Sequence, residues 1–312
     1  ADPWMRALYD LRPHAATLPG GEHEWWVTSD LGEGQTGKPL ADHHVMGIGG
    51  ATRTLLEMTV RDQVDSALDV GCGCGIQALH LLRHADRVTA TDISERALAF
   101  TAFNAALAGT DPDRLELIRG SFLEPLAGRA FDLIASNPPF VLTPSSVREA
   151  GLPLMEYRDA GAPLLPVLVP AVGEHLSPGG TAVMLGNWEH RGAGSWRDAV
   201  AAWLPEGLDA WILERELQDP VEYATMWLRD GGLTPERSGV AFENALAAWQ
   251  EDFDSRQVSG VGMGYLVFHA PSVAATSGPS GTALEGQTAP EEPASDAVAP
   301  GAVVEPWRVL EE

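Results

Sequence analysis

The sequence predicts an α/β domain built on a seven-stranded, mostly parallel sheet with helices on both faces. Three observations predict it. Short apolar runs alternate with helical segments from Ser66 onward, a glycine-rich turn joins the first run to the first helix, and a Pro-Pro turn follows the fourth run. Strands separated by helices return by crossovers, and crossovers make parallel sheets covered on two sides.

The elements follow in order. Ser66–Val70 reads as a buried strand and Ile76–His84 as a helix. Arg87–Thr91 is the second strand, and Ser94 caps a helix running to Ala108, because a serine hydroxyl can accept a free amide of the first turn. Leu115–Arg119 and Phe131–Ala135 are strands three and four. Pro166–Leu176 is a helix stopped by Ser177-Pro178-Gly179-Gly180, and Thr181–Gly186 is the fifth strand. Trp196–Trp203 is a helix and Asp209–Glu216 the sixth strand. Two helices, Val221–Arg229 and Pro235–Asp252, form an insertion over about 219–256 before the last strand, Gly264–His269. Ahead of the sheet, residues 1–45 read as an extension in which Glu24–Ser29 is a short strand. The main domain is expected over 46–270. Pro271 to Glu312, rich in Ala, Pro, Gly and acids, is expected to be largely disordered, although Val303–Leu310 is apolar enough to dock on the body.

Composition narrows the function. At 312 residues and 45% apolar, the chain can bury a full core. No run approaches the roughly 20 apolar residues of a membrane span, and no signal peptide is visible. The chain starts at Ala1 rather than Met, as a trimmed product or fragment would. The two cysteines, Cys72 and Cys74, stand one residue apart, which suits neither a disulfide nor a zinc site, so a cytoplasmic location is the expectation. A formal charge of −24 repels phosphate backbones and anionic membranes at long range. His43 and His44 are adjacent, and neighbours rarely point at one ion, so the segment His43–Arg53 is read as a loop in contact with cofactor or substrate; no metal is expected. The tryptophans Trp188, Trp196, Trp203, Trp211, Trp227 and Trp249 read as core, because no basic residues are interleaved with them.

The loop Asp69-Val70-Gly71-Cys72-Gly73-Cys74-Gly75 leaves a strand and opens a helix, the setting of a nucleotide-binding turn. Its spacing is G-x-G-x-G, with Ile76 where the dinucleotide fingerprint places its third glycine. Asp69 would repel a pyrophosphate and attract the ammonium of an amino-acid tail. Asp92, with Ile93 beside it, ends the second strand, where a carboxylate can accept hydrogen bonds from both ribose hydroxyls. Together these favour S-adenosylmethionine over a nicotinamide cofactor.

Asn137-Pro138-Pro139-Phe140 follows the fourth strand at the carboxyl edge of the sheet, where parallel sheets place their ligand crevice. Two fixed φ angles stiffen the turn. The Asn137 amide and the Pro138 carbonyl can then accept hydrogen bonds from an NH₂ group and aim its nitrogen at a methyl donor, while Phe140 offers a flat face for stacking.

With these residues in place, the sequence over about 40–270 resembles the class I methyltransferases of the small-domain superfamily, which includes HemK-type release-factor glutamine methyltransferases and rRNA guanine-N2 methyltransferases. The resemblance implies a Rossmann-like sheet with one antiparallel strand near its edge. It implies that Asp69, Gly71, Gly73 and Gly75 hold the methionine part of S-adenosyl-L-methionine and that Asp92 holds the ribose. It also implies that Asn137, Pro138, Pro139 and Phe140 receive the target nitrogen. Two departures stand out. Many members carry an acid after strand three for the adenine amino group; here Ser121 must accept that bond, or Phe122 shape the pocket without it. HemK-type enzymes usually have Tyr where this chain has Phe140, a residue commoner among the rRNA enzymes, yet the continuation Val141-Leu142-Thr143-Pro144 looks like eukaryotic HemK relatives. Glu156-Tyr157-Arg158-Asp159 could add to the acceptor site or form a solvated face.

The expected activity is methyl transfer to an amide or exocyclic amino nitrogen of a macromolecule, either a protein such as a translation factor or an RNA or DNA base. The rivals are a scaffold that binds cofactor without turnover, possible if the chain is part of a larger protein, and a nicotinamide-dependent dehydrogenase.

Overall fold

A computed structural model of the chain describes residues 7–37, 40–41, 43–149, 163–272 and 307–311. It opens with a hairpin, β1 (Tyr9–Leu18) and β2 (Gly21–Asp30), antiparallel in register from Tyr9↔Asp30 to Leu18↔Gly21. Gly20 and Gly21 make the turn at φ +94° and +120°, left-handed values that a side chain would resist. The short helix α1 (Glu33–Thr36) and α2 (Gly50–Met58) lead to the first strand of the main sheet, β3 (Val64–Val70).

From there strand and helix alternate: α3 (Ile76–Leu81), β4 (Ala85–Asp92), α4 (Glu95–Leu107), β5 (Leu115–Arg119) and β6 (Phe131–Ser136). Next come α5 (Ser145–Glu149), α6 (Leu165–Glu174), β7 (Leu176–Arg191), α7 (Trp196–Ala201) and β8 (Asp209–Gln218). The insertion is α8 (Pro220–Asp230) and α9 (Pro235–Ser255), and β9 (Val258–His269) follows. Ser94, Ser195, Asp219 and Thr234 cap α4, α7, α8 and α9 with side-chain oxygens, so polar residues at the turns fix where each helix starts.

The seven expected strands are β3 to β9, with β9 antiparallel between β7 and β8. An eighth, β10 (Trp307–Glu311), runs parallel to β8 at the edge; it falls within the apolar end of the tail, which was expected to be largely disordered. The rest of that tail, 273–306 and 312, and Glu156 to Asp159 lie outside the described residues. β7 is much longer than the predicted Thr181–Gly186, since Ser177 to Gly180 continue as strand after α6 ends at Glu174. The sheet order is β10-β8-β9-β7-β6-β3-β4-β5. The chain therefore moves outward from β3 through β4 to β5, then crosses back to lay β6 on the other side of β3. That reversal opens a crevice at the carboxyl ends of β3 and β6.

Alternation along β3 sorts the core. Ala67 faces α3, α4 and the hairpin residues Leu18, Trp25 and Val27, whereas Leu68 and Val70 face α6 and α7. A third cluster lies under the insertion, where Tyr223, Trp249 and Phe253 are fully buried against Val141, Val147 and Val261. Trp188, Trp196 and Trp249 are core as expected, but Trp211 is half exposed on β8, a strand whose neighbour β10 lies near the end of the chain. Among the described residues no helix is long and apolar enough to cross a membrane.

Candidate cofactor and methyl-acceptor site

Register brings the predicted residues together. Val70 pairs with Thr91 on one side and Ser136 on the other, so the residues that follow, Gly71, Asp92 and Asn137, end three adjacent strands on one line. That line is the crevice at the switch point.

The glycine loop is held from behind. Gly71, Gly73 and Gly75 have φ of +78°, +54° and +82°. A Cβ on Gly71 or Gly73 would meet nothing within 4 Å, whereas one on Gly75 would meet Thr101 Cγ2 at 2.7 Å. Gly75 thus lets α4 close on the loop, and the other two leave open space over it. The amides of Gly71 and Cys72 donate to Thr91 O, that of Gly73 to Asp92 Oδ2 at 3.0 Å, and that of Gly75 to Cys72 O. A pyrophosphate cradle needs such amides free. Here four of them are already spent, which disfavours a dinucleotide.

Asp92 lies at the crevice with Oδ2 on Gly73 N and Oδ1 on Ser94 N at 2.8 Å. Each oxygen keeps a lone pair for a ligand hydroxyl. Burial raises its pKa against those hydrogen bonds. Ile93 beside it is 70% exposed, so its side chain is free to cover a ligand. Asp69 is placed differently from a direct contact: it is buried beneath the loop on the α3 side, with Oδ2 accepting from Ala78 N at 3.0 Å. Burial, with the charge of Asp92 adding, pushes it up to about 7. Cys72 and Cys74 are free, buried thiols, and burial raises both pKa values, Cys74 to about 11. Phe122 holds a positive φ of 47°; its carbonyl accepts from Thr91 Oγ1 and its ring packs on the α6 side, next to the partly buried Ser121.

At the Pro-Pro turn, Pro138 is buried and Asn137 Oδ1 is buried with no hydrogen-bond partner. Phe140 is half buried, edge-on to Trp227 of α8 with centroids 6.3 Å apart. A cavity of about 360 Å³ opens on the far side of this turn, walled by Pro139, Phe140, Asn187, Trp188 and Trp196. Trp188 in its wall is held by buried Glu214, which accepts from Trp188 Nε1 at 2.5 Å and contacts His190 Nε2 at 2.7 Å.

Sequence reasoning missed several supports. Tyr223 of α8 takes the amide of Leu142 at 3.0 Å and Asn187 Nδ2 at 2.8 Å on its buried hydroxyl, tying the insertion to the Pro-Pro turn. Thr101 and Asn104 hold the back of the glycine loop. Asn104 carried a faint signal, an amide in the interior of a helix that otherwise favours Ala and Phe.

Residues 46–156 match the family model of the methyltransferase small domain. The match covers β3 to β6, the glycine loop and the Pro-Pro turn, and leaves out the hairpin and the insertion. The chain is 37% identical over 143 residues to the release factor glutamine methyltransferase of Geobacter sulfurreducens, covering 41% of this chain and 48% of that protein. It is 34% identical over 156 residues to the one from Xylella fastidiosa, covering 46% and 55%. The chain spans about half the length of these curated relatives. Among solved structures, a T. thermophilus 16S rRNA N2 methyltransferase in complex with AdoMet and guanosine aligns at 19% identity and TM-score 0.40, over 59% of this chain and 44% of that one.

Proposed function

We propose that this chain is an S-adenosylmethionine-dependent N-methyltransferase whose acceptor is a planar amide or exocyclic amino nitrogen of a macromolecule. The observation that carries the reading is Asn137 Oδ1, a buried acceptor left without a donor beside Gly71 at the switch point. Such an atom costs about 1–3 kcal/mol while unpaired, a cost recovered when a substrate NH₂ donates to it. The Pro138 carbonyl supplies a second acceptor on a turn that two prolines hold stiff. Two hydrogen bonds to one nitrogen set the direction of its electron pair, and catalysis then comes from positioning rather than from a strong base.

The residues present fit the cofactor. Open space over Gly71 and Gly73 admits its methionine and sulfonium part, and Asp92 has lone pairs for the ribose hydroxyls. Ser121 and Phe122 border the adenine end. Asp69, beneath the loop, contributes the field of a carboxylate to the ammonium end. When bound, the cofactor supplies an activated methyl group; the protein orients the nitrogen, and the apolar wall of Phe140 excludes water.

A protein amide is favoured as acceptor, because the matched relatives are named glutamine methyltransferases and a −24 charge suits a basic polypeptide better than a phosphate backbone. An RNA or DNA base is the second reading, which the family's use of this motif keeps open. In this reading 46–270 is the catalytic domain, 1–45 an extension and the location cytoplasmic. Calorimetric titration of S-adenosylmethionine and of NAD into wild type and Asp92→Ala tests the cofactor. Micromolar S-adenosylmethionine binding that the variant loses supports the reading, and absence of binding overturns it. Methyl transfer to glutamine-containing basic protein or to RNA, compared with Asn137→Ala, then separates an enzyme from a cofactor-binding scaffold.

A further inference from the structure

We propose that Thr101 and Asn104 are positioning residues of the cofactor loop, and that through Asn104 the N-terminal hairpin is a working part of the cofactor site. The inference rests on the cofactor reading above.

Thr101 and Asn104 lie three residues apart on α4, hence on one face, and that face is turned to the back of the glycine loop. The Thr101 hydroxyl donates to Gly73 O at 3.1 Å and touches Cys72 Sγ at 3.3 Å. Asn104, fully buried, donates through Nδ2 to Cys74 O at 2.8 Å and to Thr28 O at 2.9 Å, and its Oδ1 accepts from Thr28 N at 2.8 Å. Both amide protons and the carbonyl oxygen are used. The reversed amide would set oxygen against two carbonyls, so its orientation is fixed by its partners.

The consequence for the loop is directional. With the Gly73 and Cys74 carbonyls drawn back to α4, the crevice side presents the bare Cα positions of Gly71 and Gly73. That surface is what an adenosyl-sulfonium ligand can approach closely. Releasing the carbonyls lets the glycines, which have wide conformational freedom, lose this arrangement, and binding then has to restore the order at the expense of affinity. Asn104 also grips both backbone groups of Thr28, so the hairpin, which lies outside the matched small domain, is bonded through one side chain to the loop. A second anchor of the hairpin, Asp30, bonds Val45 N and Arg96 and does not touch the loop. It serves as the control.

The test is calorimetric titration of S-adenosylhomocysteine into folded protein well below its melting transition, with fold checked by near-UV circular dichroism. Asn104→Ala is expected to weaken binding about tenfold, the equivalent of one lost hydrogen bond, and Thr101→Val about threefold. Asp30→Ala is expected to lower Tm yet keep Kd within about twofold. Wild-type affinity in both Asn104→Ala and Thr101→Val overturns the proposal, as does an equal loss in Asp30→Ala, which would mark general loosening. If Asn104→Ala does not fold, Thr101→Val decides the role of the α4 face, and the milder Asn104→Ser is titrated in place of Asn104→Ala for the hairpin link. Failure of wild type to bind S-adenosylhomocysteine overturns the cofactor reading itself, a result distinct from these.

Discussion

Acid is the perturbation that separates the hairpin from α3, and His80 is the group it acts on. The imidazole of His80 is buried on α3 with Nε2 2.9 Å from His14 Nε2 of β1, and Trp25 of β2 packs on it at 5.0 Å between centroids. Burial first, then the charges of His14, Arg61, His84 and His23, pull its pKa from 6.5 to about 3. His14 is lowered as well, by burial and by Arg53. When both rings are neutral, one Nε2–H donates to the other ring's bare Nε2; protonating both rings would put two cations in contact. Because the folded value lies below the unfolded one, the native state binds fewer protons. Stability is whole above pH 6.5 and is lost as pH falls toward 3. Between pH 7 and pH 5 the linkage integral for His80 alone comes to about 2 kcal/mol. Urea unfolding at both pH values, in wild type and in His80→Gln, isolates it, since glutamine can still hydrogen-bond His14 but cannot titrate. Other groups change too, Asp69 in the opposite sense, but they are common to both proteins and cancel. Wild type is expected to lose about 2 kcal/mol more than the variant on acidification. Equal losses would refute the claim that His80 is held neutral by the fold.

Three further predictions follow from the site. S-adenosylhomocysteine affinity should rise up to about tenfold from pH 6 to pH 8, because Asp69 gains its negative charge as pH passes about 7 and only the carboxylate attracts an ammonium. In Asp69→Asn calorimetry should find that slope gone, and a slope that persists would assign it elsewhere. Tyr223→Phe keeps the buried ring but strips the acceptor from Leu142 N and Asn187 Nδ2. It should cost about 2–3 kcal/mol in urea unfolding, and a cost under about 0.5 kcal/mol would show that the hydroxyl does not brace the turn. Gly75→Ala combines a φ of +82° with a Cβ 2.7 Å from Thr101 Cγ2 and 3.0 Å from its Cα. About 3 kcal/mol of destabilisation and weakened cofactor binding are expected, and an unchanged Tm would contradict the close approach of α4.

Much of the domain was legible in the chain because its signals are local. The apolar runs of β3 to β6 stand between turn residues, Ser94 caps α4 by its own chemistry, and Leu115–Arg119 falls on β5 without adjustment. The crevice residues Gly71, Asp92 and Asn137 were legible for the same reason: each closes a strand, and parallel strands end together. Boundaries blurred where pairing overrides propensity. Ser177-Pro178-Gly179-Gly180 reads as a stop, yet β7 takes it in as an irregularity between the β6 pairs Phe131↔Leu176 and Leu133↔Thr181.

What the sequence by itself determined, then, was the order of strands and helices and which residues stand at the strand ends, since both depend on neighbours a few residues apart. Only the tertiary structure decided what supports that chemistry. Asn104 meets Thr28 across 76 positions of chain, Tyr223 meets Leu142 across 81, and His80 meets His14 across 66. Even Asp69, singled out by its place before the glycines, owes its direction to the pleat of β3, which turns it beneath the loop toward Ala78. Such bonds leave no period or spacing in the chain, because the partners are brought together by the packing of whole elements rather than by the residues beside them.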